Sequence, residues 1–112
     1  MSYTFIEVHK DKSFLHDRYG EYIFFVLNEQ FATWELTEDI VKDIIEVFNG
    51  NIIEELSDGW VRRYELNFRE ANIIFYYLED VGLFFYSTDS GSIEFLNKIA
   101  TDIDNKLKYM NA

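Results

Sequence analysis

The apolar residues in the first third of the chain follow the short patterns that are typical of β-strands. Residues 3–8 alternate weakly and are rich in aromatic and branched side chains, which predicts a strand. Residues 21–27 are apolar on both faces, as in a strand that is covered on both sides. Residues 31–36 place their apolar side chains on one side and predict a further short strand, whereas the polar residues 11–20 allow one helical turn.

Apolar residues at helical spacing predict two amphipathic helices later in the chain. Thr37 has an N-capping side chain and is followed by two carboxylates, which favour the first turn of a helix, and Gly50 lies where this helix is expected to end. The second helix is expected to begin at Ser90 or Ser92. The buried stripes are predicted to contain Ile40, Val41, Ile44, Ile45 and Phe48 in the first helix and Leu96, Ile99, Ala100, Ile103, Leu107 and Met110 in the second.

Four strands joined by short turns are predicted between the two helices. The first turn contains Asp58-Gly59, a dipeptide that tolerates the positive φ angles of a tight hairpin. Because these strands follow one another without intervening helices, the fold class is α+β: an antiparallel β-sheet, in the form of a meander, packed with two amphipathic helices. The length of 112 residues suits a single domain over residues 1–112. The four strands are expected over residues 51–57, 60–68, 72–78 and 83–88.

The charge balance narrows the class of partner. Ten Lys and Arg residues against 21 Asp and Glu residues give a net charge of −11. So acidic a chain is expected to bind neither nucleic acid nor an anionic membrane surface, because both attract cations. The absence of cysteine excludes disulfides and thiolate metal sites and is typical of a reducing compartment. The chain also lacks a secretion signal and an apolar run of the about 20 residues that span a bilayer, which predicts a soluble, cytoplasmic protein.

The sequence contains no recognisable arrangement of catalytic residues. His9 and His16 lie in a polar segment without a nucleophile or a metal ligand spaced beside them. Glu54-Glu55 and Glu79-Asp80 have the residue types of a glycosidase carboxylate pair, but acidic turns are usually only solvated. We therefore predict neither an enzyme nor a metal or cofactor site.

The meander places many carboxylates at one end of the predicted sheet. Alternate hairpin turns lie at the same end of a sheet, so the turn at Asp58-Gly59 and the turn at Glu79-Asp80 are expected to be neighbours. If the first helix runs back along the sheet, it begins beside them, and only Lys106 and Lys108 would reduce the negative charge there. The sequence therefore predicts one acidic rim with Glu38, Asp39, Asp58, Glu79 and Asp80, and with Glu54 and Glu55 nearby.

Aromatic and basic residues give a second indication of binding. Aromatic residues make up 19% of the chain and occupy both faces of their strands, which is explained either by covering elements on both faces or by a partner. Trp34 and Trp60 are candidate anchors for a protein partner, because Trp is enriched among interface hot spots. The only basic cluster, with Arg62, Arg63 and Arg69, is expected to pair with Glu54, Glu55 or Glu65 across the hairpin rather than to bind single-stranded nucleic acid.

An acidic, cysteine-free, aromatic-rich α+β chain without a catalytic motif is most simply a protein that binds a basic protein. In this overall character, though in no motif, it resembles bacterial immunity proteins, in particular those of contact-dependent growth inhibition and other polymorphic toxin systems. The resemblance implies a cytoplasmic protein that neutralises one cognate basic toxin domain, often a nuclease, by covering its active site or an adjacent surface. The partner-binding residues are then expected to be Glu38, Asp39, Asp43, Glu46, Glu54, Glu55, Asp58, Trp60, Glu79 and Asp80.

Two other kinds of protein fit the same size and charge. A small acidic secretion chaperone would hold an unfolded segment of an effector, although such chaperones usually open with a helix and this chain opens with a predicted strand. A mimic of nucleic acid would space its carboxylates regularly, whereas here they cluster in turns and on one helix face. The secretion-chaperone interpretation predicts a dimer, and a homodimer is also compatible with the immunity-protein interpretation.

Overall fold

The computed structural model describes residues 3–10, 23–27, 32–87 and 92–110. Within these ranges the chain forms six strands and two helices, and the α+β fold class predicted from the sequence is confirmed. The helical turn expected within residues 11–20 lies outside the described residues, as do His16 and Ser90. The elements are β1 (Ile6–His9), β2 (Phe24–Leu27), α1 (Trp34–Phe48), β3 (Asn51–Asp58), β4 (Val61–Asn67), β5 (Asn72–Leu78), β6 (Gly82–Ser87) and α2 (Ile93–Met110).

The strands form one antiparallel sheet in the order β1-β2-β6-β5-β4-β3. Strands β3 to β6 follow one another as the predicted meander, and β2 joins this meander through β6. The two edges of the sheet are therefore the short strand β1 and the longer strand β3. The first hairpin turn differs slightly from the prediction, because Gly59 and Trp60 form the turn and Asp58 still pairs with Val61.

A carboxylate of α2 explains why β1 begins later than predicted. The backbone N–H of Thr4 donates to Asp104 Oδ2 at 3.1 Å, and that of Phe5 donates to Asp104 Oδ1 at 2.7 Å. These two groups are thus bound to α2, and strand pairing starts at Ile6. Asp104 is 2% exposed and also pairs with Lys108 at 3.3 Å, so it attaches the start of the described chain to the second helix.

Helix α1 begins one turn earlier than the sequence predicts. Thr33, not Thr37, is the N-cap, because its side-chain oxygen accepts from the N–H of Leu36 at 3.0 Å. Thr37 is buried, and its hydroxyl donates back to the Thr33 carbonyl at 2.8 Å. The short strand expected over residues 31–36 is therefore wrong from Trp34 onward, where the chain is helical, and Phe31 lies outside the described residues.

The end of α1 is built by two neighbouring residues with different roles. Asn49 takes the left-handed conformation with φ 59° and ψ 56°, although Gly50 was expected to end the helix. Gly50 is required instead for close packing, because a Cβ atom there would lie 2.6 Å from Cδ1 of Phe68. Phe68 cannot move away freely, since it is buried and its ring packs edge-on against Phe95 with centroids 5.1 Å apart.

We expect Gly50→Ala to lower the free energy of unfolding by about 1–2 kcal/mol, because the added methyl overpacks the ring of Phe68. Urea unfolding measures this difference. In a Phe68→Leu background the same substitution should have a much smaller effect, since the clashing ring atoms are gone. An equal effect in both backgrounds would show that contact with Phe68 is not the cause.

One face of the sheet packs against both helices. Phe25, Phe85 and Phe75 lie side by side across three neighbouring strands with stacked rings, 5.2 and 4.9 Å between successive centroids. Helix α2 covers this face with Leu96, Ile99, Ala100, Ile103 and Leu107, as predicted, whereas Met110 is 66% exposed and lies beyond the buried stripe. The helices run antiparallel, with Phe48 against Phe95 at one end and Asp43 beside Lys106 further along.

The opposite face of the sheet carries a second buried cluster. Phe24, Val26, Ile74, Phe84 and Tyr86 form it, with Tyr76, Leu78 and Val81 packed against them. Half of these eight side chains are aromatic, so the prediction that aromatic residues occupy both faces of their strands is confirmed. Most of the aromatic side chains of the strands therefore serve packing. Trp60, which is exposed on the turn of the β3–β4 hairpin, is an exception.

Candidate protein-binding surface

The strand register brings two hairpin turns together at one end of the sheet. Asp58 pairs with Val61, Val61 with Leu78, and Leu78 with Gly82. The β3–β4 turn and the β5–β6 turn therefore lie at the same end, as the meander predicted. Asp58 precedes the first turn, and Glu79 and Asp80 form part of the second.

Helix α1 begins at this same end. The indole ring of Trp34, the first residue of α1, meets the ring of Tyr77 edge-on with centroids 6.0 Å apart, and Tyr77 is next to the β5–β6 turn. The expected position of the first helix relative to the turns is confirmed. We define the acidic end by the carboxylates that these three elements bring there: Glu35, Glu38, Asp39, Asp58, Glu79 and Asp80.

Arg62 holds the start of α1 against the sheet. It is 7% exposed, its Nη1 donates to the carbonyl of Trp34 at 2.9 Å, and its guanidinium lies 4.7 Å from the centroid of the Trp34 ring. Nη2 also reaches Glu38 at 3.6 Å. The expectation that the arginines pair across the hairpin is thus wrong for Arg62, because the alternation of β4 turns its side chain toward α1.

The expectation of hairpin pairing is confirmed for Arg63, the next residue. Its side chain points to the sheet face away from α1, where Nη1 lies 3.7 Å from Glu54 and Nη2 lies 3.5 Å from Glu65. The guanidinium also lies 5.7 Å from the centroid of the Tyr76 ring. Arg63 therefore neutralises part of the charge beside β3 and does not reach the acidic end.

Most carboxylates of the acidic end remain uncompensated. Glu38 is the exception, because Lys42 at 3.2 Å and Arg62 lower the pKa of its carboxyl. Within the described part of the chain, the other five form no ion pair, and all five are exposed. They leave a concentrated negative charge that is available to a partner: Glu35, Asp39, Asp58, Glu79 and Asp80.

Trp60 lies at the same end of the sheet as these carboxylates. It occupies the β3–β4 turn next to Gly59, whose positive φ of 45° closes the turn, and it is 71% exposed. If a partner covered this exposed indole, a large apolar area would be removed from water. This end of the molecule thus carries a large exposed aromatic side chain as well as exposed carboxylates.

Asp43 and Glu46, two of the predicted partner-binding residues, lie on α1 outside the acidic end. Asp43 forms an ion pair with Lys106, which also lies 3.2 Å from Asp102. Burial and the neighbouring Asp43 raise the pKa of Asp102. Because Lys106 joins Asp43 of α1 to Asp102 of α2, these two carboxylates belong to the contact between the helices. Glu46 is exposed near the end of α1, about 18 Å along the helix from Trp34 at 1.5 Å per residue.

Glu54 and Glu55 lie on β3, away from the turn that carries Trp60. The whole of β3 is exposed, including Ile52, Ile53 and Leu56, each about half exposed. Neither Glu35 nor the exposure of β3 was anticipated. Glu35 escaped notice because residues 31–36 were interpreted as a strand, and an N-cap at Thr33 is the signal that would have placed it in the first turn of a helix.

The described ranges contain no candidate for two other kinds of site, a metal site and a membrane-spanning helix. Their His, Asp and Glu side chains form no group of three or more that could hold a metal ion. None of the helices in those ranges is both long and apolar enough to cross a membrane. Comparison of the chain with protein-family models, curated proteins and solved structures yields no match.

Proposed function

We propose that this chain binds a basic protein through its acidic end, and that it acts as an immunity protein that neutralises a toxin domain by covering its active site or an adjacent surface. The observation that carries the proposal is the 71% exposed Trp60 among carboxylates that have no ion pair within the described residues. No catalytic function is proposed. A cytoplasmic location is part of the proposal, since the toxin acts there.

The acidic end supports binding in two distinct ways. Trp60 supplies a large apolar side chain of the kind that dominates interface energetics. Glu79, Asp80 and Asp58 add negative charge at the same end of the sheet, which attracts a cationic surface before contact is made and raises the association rate. The fold supports the same assignment, because Arg62 holds the start of α1 against the sheet and the strand register brings the two turns to the same end.

A nuclease domain is the favoured class of toxin for a chemical reason. A nuclease holds the phosphates of its substrate with Lys and Arg, so its active site is a cationic surface. The carboxylates of the acidic end can occupy positions that phosphates would take. An antidote of this kind also benefits from fast capture, because the toxin damages its target until it is bound.

Association kinetics test the proposal with the product of the gene next to this chain's gene, which the proposal expects to be an exported protein with a cationic C-terminal toxin domain. We expect the association rate to fall at least about tenfold when the salt concentration rises from 50 to 500 mM, because the Debye length shrinks from over 10 Å to a few ångströms. Stopped-flow fluorescence of Trp60, which should change on burial, measures the rate.

The dissociation rate serves as the internal control, since it is expected to change much less with salt than the association rate. An association rate that does not depend on salt would contradict a role for the acidic end. Absence of a complex with that domain, or a complex that leaves its toxic activity intact, would contradict the immunity function itself.

A further inference from the structure

Among the strands that the structure describes, β3 forms one edge of the sheet along its whole length. In the described structure it pairs with β4 alone, and all of its eight residues are exposed. In an antiparallel pair the backbone groups of a strand point alternately toward and away from its neighbour. About half of the N–H and C=O groups of β3 therefore point away from the sheet, where another strand could bond to them.

This edge lacks most of the features that normally prevent strand addition. Protected edges are short or carry Lys or Pro, and the other edge strand, β1, has only four residues. Strand β3 has eight residues, contains neither Lys nor Pro, and exposes Ile53 and Leu56 by 54% and 49%. Its one irregularity is the register shift between Ile52 and Glu54, which leaves the segment from Glu54 to Asp58 in regular pairing with β4.

The side chains of this segment specify the chemistry of an added strand. Glu54, Leu56 and Asp58 pair with Glu65, Arg63 and Val61 and share the sheet face away from α1, whereas Glu55 and Ser57 lie on the α1 face. Carboxylates thus occur on both faces with an apolar residue between two of them. A complementary strand carries Lys or Arg opposite the carboxylates and an apolar residue opposite Leu56.

A second copy of the chain is a poor occupant of the same edge. Two β3 strands paired antiparallel about Leu56 would place Glu54 of one copy opposite Asp58 of the other, and like charges opposite each other destabilise a sheet. The net charge of −11 on each copy adds long-range repulsion. Arg63 lies on the neighbouring strand, where it already contacts Glu54 and Glu65.

We propose that β3 binds an extended cationic segment of the protein partner as a seventh strand of the sheet. This inference rests on the proposed binding of a basic protein and adds the mode of recognition. Backbone hydrogen bonds along β3 provide affinity, and the carboxylates at positions 54, 55 and 58 select Lys and Arg on the added segment. The acidic end then attracts the partner, and β3 binds its segment.

A synthetic peptide of three Lys-Thr-Val-Lys repeats tests the strand addition without the natural partner. In antiparallel register this repeat places Lys opposite Glu54, Glu55 and Asp58 and Val opposite Leu56. We expect it to bind and to protect the β3 amides from hydrogen exchange. The same peptide, methylated on the alternate backbone nitrogens that face β3, has equal charge but lacks the N–H donors along that edge, and it should bind at least about tenfold more weakly.

Leu56→Lys is the matching protein variant, with Val47→Lys as its control. Both side chains are 49% exposed, and both substitutions change the net charge equally, but Val47 lies on α1. Leu56→Lys should weaken peptide binding at least about tenfold and Val47→Lys less than about twofold. Equal effects of the two variants, or equal binding of the two peptides, would overturn the inference. Protection from hydrogen exchange that is confined to elements other than β3 would also overturn it. So would a homodimer of this chain that the Leu56→Lys substitution dissociates.

The toxin domain of the previous experiment separates this inference from the proposed function. If that domain binds wild-type and Leu56→Lys chains equally and with the same salt dependence, the acidic-end proposal stands and the seventh strand is wrong. If the domain does not bind at all while the peptide adds to β3, the strand-addition site stands and the immunity function is wrong.

Discussion

Replacing Asp104 with alanine is expected to lower the free energy of unfolding by about 2–3 kcal/mol. The carboxylate is 2% exposed and accepts hydrogen bonds from the N–H groups of Thr4 and Phe5. A hydrogen bond to a charged group contributes about 1.5–3 kcal/mol to stability. The expected loss is less than twice this value, because Thr4 is exposed and its N–H can bond to water instead. Urea unfolding followed by circular dichroism measures the difference.

Asp102 provides a matched control on the same helix. It pairs with Lys106 beside Asp43, and burial raises the pKa of its carboxyl, so its charged form is less stable there than in water. We expect Asp102→Ala to change the free energy of unfolding by less than about 1 kcal/mol. Equal losses for the two alanine variants would mean that Asp104 does not hold the N-terminal segment to α2.

Reversing three charges of the acidic end should have the largest effect on binding. The Asp39→Lys, Asp58→Lys and Asp80→Lys triple variant changes the net charge from −11 to −5 and places cations around Trp60. We expect the association rate with the cationic toxin domain to fall about 100-fold, since electrostatic steering contributes roughly 10- to 1,000-fold. The thermal midpoint should change little, because these side chains are exposed and have no ion pair within the described residues.

A second triple variant separates the position of the charge from its amount. Glu46, Glu70 and Glu94 are exposed carboxylates at the opposite end of the molecule, in the last turn of α1, the β4–β5 turn and the first turn of α2. Their reversal to Lys produces the same net charge and should slow association much less. If both triple variants slow association equally, net charge alone governs the encounter and the acidic end is not the binding surface.

The parts of the fold that were predictable are those whose local pattern admits one interpretation. Helix α2 and the meander follow from helical spacing and from turns such as Asp58-Gly59. The start of α1 was missed because Trp34 and Leu36 alternate with polar residues as in a strand, and both Thr33 and Thr37 have N-capping side chains. Contacts with Arg62 and Tyr77, which lie far away in the sequence, stabilise the earlier start.

The position of the candidate site can be predicted from the sequence, but the set of carboxylates that form it cannot. Hairpin alternation is a property of any meander, so it placed Asp58, Glu79 and Asp80 together correctly. Which carboxylates are neutralised depends on distant partners, as for Asp43 with Lys106 and Glu38 with Arg62. The exposure of β3 cannot be predicted from the sequence either, because a covered strand and an open edge strand can have the same sequence pattern.

The sheet order also bears on how the chain folds. Val26 pairs with Phe84, and this contact closes a loop of about half the chain length, whereas each hairpin from β3 to β6 closes a loop of a few residues. Because loop-closure entropy grows with the length of the loop, the four-strand meander can nucleate first, and β1 and β2 dock later. The turns that carry Trp60, Glu79 and Asp80 would then be complete early in folding, and transient opening of the native state would release the two N-terminal strands before it disturbs those turns.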